Sequence, residues 1–587
     1  MNFFPSVLSA DAANFFPAAA GRYMFLFHSV LLKKAAHLLL CLVSSLMINP
    51  LGQLQPAGHF QAPPSLDKDL FWLLKNQPAV RFSVSSPKHS EAQDALLNDL
   101  YAYNGVQPYW VTEYGPKEKA SVLIAFLTHA DEDGLDPSRY HLHELAALLH
   151  VRDVEGLARL DIMLTLVLSA YLKDMHLGQA APFPLSSAGK GKDKDIAQLT
   201  LQGLNSPDMA IFLAEQAPQH QEYQALKALL AKYRRLDFAG GWPKIPSGPT
   251  IRPGDADQRV DLLAKRLYLS GDLSALPLAS AEGRRRGIYD KQLVKAVKHF
   301  QRRCGLEPDG AVGTKTQALL NRSVEEEIRT IRLNLDRWRG LPHQFSSHHL
   351  LVNIAGFDLT MLNNGQPELT MPVIVGKEDH KTPVFSHAMS YIEINPYWNI
   401  PPSIAQKEIV KKMQQDSSYL RKQRIRIFAG WNGNAPEISA SAINWHRIGA
   451  RIRKYRLRQE PGKGNALGTV KFMFPNRKNI YLHDTPGHSL FQRARRAFSH
   501  GCVRVSHPLD LAWQILNNDG QTISKEKLQK QIATGRQAVF VLRQPLPVHI
   551  VYLTVRVSED GMAHFYEDIY GRDALLAKAL FHDQERK

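Results

Sequence analysis

Residues Ile480 to Val505 read IYLHDTPGHSLFQRARRAFSHGCVRV. The run begins as a predicted strand ending at His483 and closes on a glycine followed by Cys502. A thiol is a strong nucleophile only as the thiolate, so a cysteine that transfers acyl groups is held beside a base. The base must itself be oriented, and the developing oxyanion needs donors already in place. His483 at a strand end can point into a cleft. Gly501 permits the sharp turn that exposes a nucleophile and frees amides for an oxyanion hole. Arg504 adds a permanent charge that can lower the thiol pKa or hold a substrate carboxylate. Other readings stay open on these residues alone. SHGC could be chance, and His483, His488, His500, Cys502 and His507 could be metal ligands, although the run has neither an H-x-x-x-H pair nor a second cysteine.

Ser499-His500-Gly501-Cys502-Val503-Arg504, with His483 nineteen residues before the cysteine, resembles the signature of the L,D-transpeptidase catalytic domain. VGKEDHKTPVF, Val375 to Phe385, is similar to that family's glycine and Thr-Pro turn, and the resemblance spans about Leu350 to Leu542. It implies Cys502 as nucleophile and His483 as general base. A backbone carbonyl close after the base would orient it, with Asp484 the candidate. Ser499, His500 and Arg504 would shape the pocket, the amides near Gly501 and Cys502 would form the oxyanion hole, and Tyr481 would help bind substrate. Arg504 stands where small members often carry Asn, as in the larger gram-negative type that forms 3-3 cross-links. The implied chemistry uses no metal or organic cofactor. Its partners are peptidoglycan stem peptides, a donor tetrapeptide and an acceptor, with carbapenem β-lactams as inhibitors. Carboxypeptidase, lipoprotein-anchoring and binding-only outcomes remain alternatives. A sortase-like enzyme would place its histidine much farther upstream, and a cysteine-type wall hydrolase would place Cys before His.

Working outward, HLLVNIAGFDLTML, ELTMPVIVG and MSYIEINPYWNI read as strands, with Asn364-Gly365 as a hairpin turn. This β-domain is expected over 345–545. From Pro402 to about Asn465 the strand pattern stops, and SIAQKEIVKKMQQDSSYLRKQ looks helical and amphipathic, which predicts a helical lid inserted at about 402–465. Residues 546–587 read as a C-terminal tail with one more strand and a closing helix.

Upstream, YDKQLVKAVKHFQRRCGLEPDGAVGTKTQALLN lies in a compact unit over 251–321 and is similar to the small three-helix peptidoglycan-binding module. Leu293, Ala296, Val297, Phe300 and Cys304 share one helix face, so Cys304 reads as a core thiol. Thr314 with Gln317 predicts a capping box, as does Ser323 with Glu326 for a linking helix, Val324 to Arg339. A plain helical spacer is the alternative for the module. Residues 65–248 read as a mostly helical scaffold; LDIMLTLVLSAYL, Leu160 to Leu172, is long enough for a buried helix and too short for a bilayer. The fold class is therefore multidomain α+β: helical N-terminal scaffold, three-helix module, mainly-β catalytic domain with a helical insertion.

Residues 1–64 hold Lys33 and Lys34 before the apolar run Ala35 to Ile48, then a Pro-containing linker, Pro56 to Pro64. Charge followed by a short apolar core marks an export signal or an uncleaved anchor, and predicts a periplasmic location. Cys41 sits within the run after Leu40, where a bland apolar role fits. The net charge of +17 suits an acidic partner. No Lys/Arg block is interleaved with aromatics, which argues against nucleic acid. The three cysteines form no CxxC pair, which excludes a thioredoxin motif.

Overall fold

The computed structural model describes residues 66–76, 87–180, 192–276 and 287–581. The expected signal, with Cys41, and the Pro56 to Pro64 linker lie outside them. Among the described residues no helix is long and apolar enough to cross a membrane.

The helical region is organised around Val154–Leu177. The Asp153 side chain caps its first turn by accepting from the Gly156 amide, and Gly178 (φ 81°) ends it. Being apolar nearly all round, this helix is buried on almost every face. Asp161 is the polar exception. Its carboxylate accepts from the Tyr101 hydroxyl at 2.6 Å and from the amides of Tyr109, Trp110 and Val111. A buried carboxylate with that many donors fixes the approach of one segment to another. The turn-rich stretch Asp131 to Tyr140 also serves packing: Tyr223 donates to the Asp133 carboxylate at 2.9 Å, and Arg339 to its backbone carbonyl at 2.6 Å.

In the second unit, helix Lys291–Arg303 starts at Asp290, whose side chain accepts from the amides of Gln292 and Leu293. Leu293, Ala296, Val297, Phe300 and Cys304 are buried together. The capping box expected at Thr314 does not form. Gly313 is the N-cap, and the Gln317 amide instead donates to the carbonyls of Ile245 and Pro246. Burial pushes the Cys304 thiol up to about 12, so it stays a neutral apolar group. Cys304→Ser should lower the melting temperature by the equivalent of about 1–3 kcal/mol and leave acyl transfer unchanged. Thermal unfolding beside a turnover assay checks this, and lost turnover at unchanged melting temperature would contradict it.

The Ser323/Glu326 capping box is present, and the helix it starts, Val324–Arg339, joins the regions into one core. Its Ile331, Leu335 and Trp338 meet Tyr223 and Leu230 on one side and Leu351, Val551 and Phe565 on the other.

The β-domain has nine strands: β1 His348–Asn353, β2 Asp358–Asn363, β3 Gln366–Gly376, β4 Phe385–Ile394, β5 Val470–Met473, β6 Leu482–His483, β7 Ala497–Ser499, β8 Val503–Val505 and β9 Ala538–Val551. Their order is β7-β3-β8-β6-β5-β4-β9-β1-β2, and pairing of β2 with β3 closes the sheet on itself. Asn364 and Gly365 (φ 50° and 78°) make the β2–β3 hairpin as the sequence predicts. Two expectations need correction. The C-terminal stretch is no tail: β9 runs through residue 545 and pairs with both β4 and β1. The insertion is not wholly helical. After a helical run from Pro402, a four-stranded sheet joins Trp398–Asn399, Arg456–Gln459, Ile425–Phe428 and Glu437–Ile438 around its own small core.

Candidate active site

The strands carrying the two ends of the Ile480–Val505 run are neighbours. β6 and β8 pair in parallel, with Leu482 opposite Val503 and His483 opposite Arg504. The Val503 amide donates to the Tyr481 carbonyl at 3.2 Å, which extends the register one residue back. Side chains alternate across a sheet, so Leu482, Val503 and Val505 enter the core, Tyr481, His483 and Arg504 take the opposite face, and Cys502, in the bend before β8, packs half-buried at the core's edge. Register sets Cys502 one position before the Leu482–Val503 pair and His483 one position after it.

His483 is buried, and its Nδ1 lies 2.5 Å from the Asp484 carbonyl oxygen. A carbonyl only accepts, so Nδ1 carries the proton and Nε2 keeps a free lone pair. The Asp484 carboxylate is occupied elsewhere, by the amide and hydroxyl of Thr469 and the amide of Thr485. Burial first, then the Arg504 charge, pull the imidazole down to about 3. It is neutral, and a free base, at neutral pH.

Cys502 is half-buried, and its Sγ lies 3.7 Å from the Asn479 carbonyl. Burial raises its pKa; the Tyr481 amide, the Tyr481 hydroxyl, Lys471 and Arg504 oppose that rise. Tyr481 is thus the neighbour that most opposes the rise, a role beyond the substrate binding expected of it. Tyr481→Phe should shift the thiol pKa upward, read as a higher midpoint in the pH profile of Cys502 alkylation. An unchanged midpoint would remove this role.

Lys471 and Glu393 are residues the sequence did not mark. Register runs Glu393–Lys471–His483–Arg504 across four adjacent strands. Lys471 pairs with Glu393 at 3.6 Å and lies 4.8 Å from the centre of the Tyr481 ring. Arg504 is half-buried with no partner on Nε, which suits a ligand carboxylate.

The Gly501–Cys502 turn departs from expectation in one respect. Gly501 (φ 113°) occupies a conformation side chains resist, but its amide is not free: it donates to Ser499 Oγ at 3.1 Å. Ser499 in turn donates to the Cys502 carbonyl at 2.5 Å. Ser499 staples the turn rather than facing the cleft. His500 is likewise engaged, its Nε2 lying 2.6 Å from Glu408 of the insertion. His483, His488, His500, Cys502 and His507 do not converge: among the described residues no group of three or more His, Cys, Asp or Glu could hold a metal.

Buried neutral histidines also set a pH dependence. His483 and His549 are both held down to about 3, chiefly by burial, against an ordinary value of 6.5. The unfolded chain takes up these protons and the folded chain does not. Stability is thus fully present above about pH 6.5 and falls as pH drops toward about 3, by about 1.4 kcal/mol per pH unit for each group. The urea midpoint should be lower at about pH 5 than at about pH 7.5. Equal midpoints would show these rings titrating normally.

Comparison with known proteins gives three family matches. Residues 347–535 match the L,D-transpeptidase catalytic domain, residues 95–230 a family described as a scaffold domain, and residues 257–320 the family described as "Putative peptidoglycan binding domain". A Haemophilus influenzae protein named "Putative L,D-transpeptidase" is 33% identical over 243 residues, which cover 41% of this chain and 48% of that protein. The match thus spans about half of the relative's length. Among solved structures, an L,D-transpeptidase in complex with imipenem is similar at 15% identity and TM-score 0.17, over 35% of this chain and 59% of that one. An L,D-transpeptidase of Mycobacterium smegmatis is similar at 13% identity and TM-score 0.18, over 35% and 58%. One from Xylanimonas cellulosilytica gives 14% identity and TM-score 0.16, over 52% and 98%. The chain thus carries an L,D-transpeptidase catalytic domain behind a peptidoglycan-binding helical module and a helical N-terminal region.

Proposed function

We propose that this chain is a periplasmic acyltransferase that forms 3-3 cross-links between peptidoglycan stem peptides through a thioester on Cys502. The observation that carries the reading is the parallel register of β6 and β8, which sets the Tyr481–Cys502 positions beside His483–Arg504, with a neutral imidazole oriented by the Asp484 carbonyl.

His483 Nε2 takes the thiol proton as sulfur attacks the carbonyl of meso-diaminopimelate in a donor tetrapeptide. The Cys502 amide faces the developing oxyanion, since the Gly501 amide is held by Ser499. His483 returns the proton to the departing D-Ala amine, leaving a thioester. The side-chain amine of an acceptor stem then attacks the thioester, and the thiol is regenerated. Arg504 holds a stem carboxylate. The insertion acts as a lid, tied to the catalytic face by Glu408–His500. The module over 251–321 binds the wall. Export rests on Lys33, Lys34 and the apolar run after them, with the same run as a membrane anchor if uncleaved.

Purified tetrapeptide stems incubated with the protein should give free D-Ala and dimers joined between two diaminopimelate residues, read by mass spectrometry. Tripeptide without dimers would assign a carboxypeptidase. Neither product would leave a wall-binding protein.

A further inference from the structure

A cavity of about 300 Å³ lies where the helical region, the linking helix and the β-domain meet. Neither Cys502, His483 nor Tyr481 lines it. Its apolar wall includes Leu177, Val384 and Leu576; its charged wall includes Arg337, Lys381, Lys478 and Arg572, with Asp336 the single carboxylate among the described residues.

Asp336 is already neutralised, accepting from the Gln179 amide at 2.6 Å and from Arg339 at 3.0 Å. Arg337 gives one nitrogen to Asp573 at 2.6 Å, but its Nη2 has no partner although the residue is only 6% exposed. Native proteins rarely leave such a buried donor empty. Lys381 donates to the Tyr570 carbonyl and Arg572 to the Thr382 carbonyl, and Arg572 feels the charge of Asp568 without a side-chain hydrogen bond to it. Lys478 stands exposed at the rim. Concentrated positive charge beside an apolar wall, with an orphan guanidinium nitrogen, fits an anion borne on an apolar body.

The cavity also abuts the loop that braces the Gly501–Cys502 turn. The Thr382 hydroxyl donates to the Gly501 carbonyl at 2.8 Å and accepts from the Gly376 amide at 2.8 Å. The Tyr570 hydroxyl donates to the Gly376 carbonyl and accepts from the Thr382 amide. A ligand held by Lys381 and Arg572 grips two side chains that already bond the backbones of Tyr570 and Thr382.

We propose that this cavity binds a small organic anion, a carboxylate or phosphate monoester on a short apolar chain, and that occupancy holds the Gly501–Cys502 turn more rigidly. The site stands apart from the proposed acyl transfer and does not depend on it.

Calorimetry on the full chain with octanoate, octyl phosphate and inorganic phosphate tests it. One of the two octyl probes should bind saturably at one site, and which one binds tighter tells carboxylate from phosphate. Inorganic phosphate should bind at least about tenfold more weakly than octyl phosphate. The Arg572→Gln/Lys478→Gln double variant should lose about tenfold or more in affinity, and Lys478→Gln alone, a change at an exposed side chain, several-fold. Saturation with the bound probe should slow iodoacetamide labelling of Cys502, followed by peptide mass, by about twofold or more. Absence of saturable binding, affinity unchanged in both variants, or phosphate binding as tightly as octyl phosphate would each overturn the site. Binding with an unchanged labelling rate would overturn the link to the turn.

Discussion

Cys502→Ala will release no D-Ala, form no cross-linked dimer and take up no carbapenem, while its melting temperature stays close to that of the wild type. The chemical loss is total because no other described thiol can substitute: Cys304 is buried with its thiol held neutral, far from the reactive range. The structural loss is small because the Cys502 side chain is half-buried at the edge of the core. The turn itself is held by Ser499, Thr382 and the freedom of Gly501, none of which the substitution touches. A carbapenem is the sharpest probe, since its strained acyl carbonyl is opened by an activated thiolate and the thioester persists if water is badly placed. Adduct on the alanine variant would place the nucleophile elsewhere.

His483→Ala will slow acylation of Cys502 by roughly 100- to 10,000-fold, the usual worth of a positioned general base. The imidazole is oriented through Nδ1 by the Asp484 carbonyl and kept neutral by burial, so it stays a free base down to low pH. The acid limb of the acylation profile should accordingly begin well below the ordinary histidine value of about 6.5. His488 is the control. Its side chain is 58% exposed and 3.6 Å from an Asp484 oxygen already bonded to the Thr485 amide, so His488→Ala should change acylation little. Comparable losses in both variants would mean that loop integrity, not base catalysis, is being measured.

How much of this was legible in the sequence depends on how local the signal was. Cys502 and His483 sit at fixed spacing in one run, and two strands joined by a single excursion can hardly avoid each other. Lys471 and Glu393 were invisible because register across separate strands, not sequence distance, brings them beside the imidazole. The freedom of the Gly501 amide was misjudged because Ser499, which captures it, reads as an ordinary polar residue. The boundary expected at 545 falls inside β9, whose ladder with β4 shifts register between Val541 and Leu546 and then resumes. The insertion's strands went unseen because two are two residues long and two are four, too short for alternation to register. The missing box at Thr314 has a tertiary cause, capture of Gln317 by carbonyls about seventy residues away in sequence.

The thioester itself is the most direct test. Intact protein mixed with a purified tetrapeptide donor and no acceptor, quenched in acid over time and weighed, should gain one donor mass less D-Ala. Peptide mapping should place that mass on Cys502, and adding acceptor stem should discharge it into dimer. Turnover with no mass gain at any time, or an adduct mapped to another residue, would contradict the account.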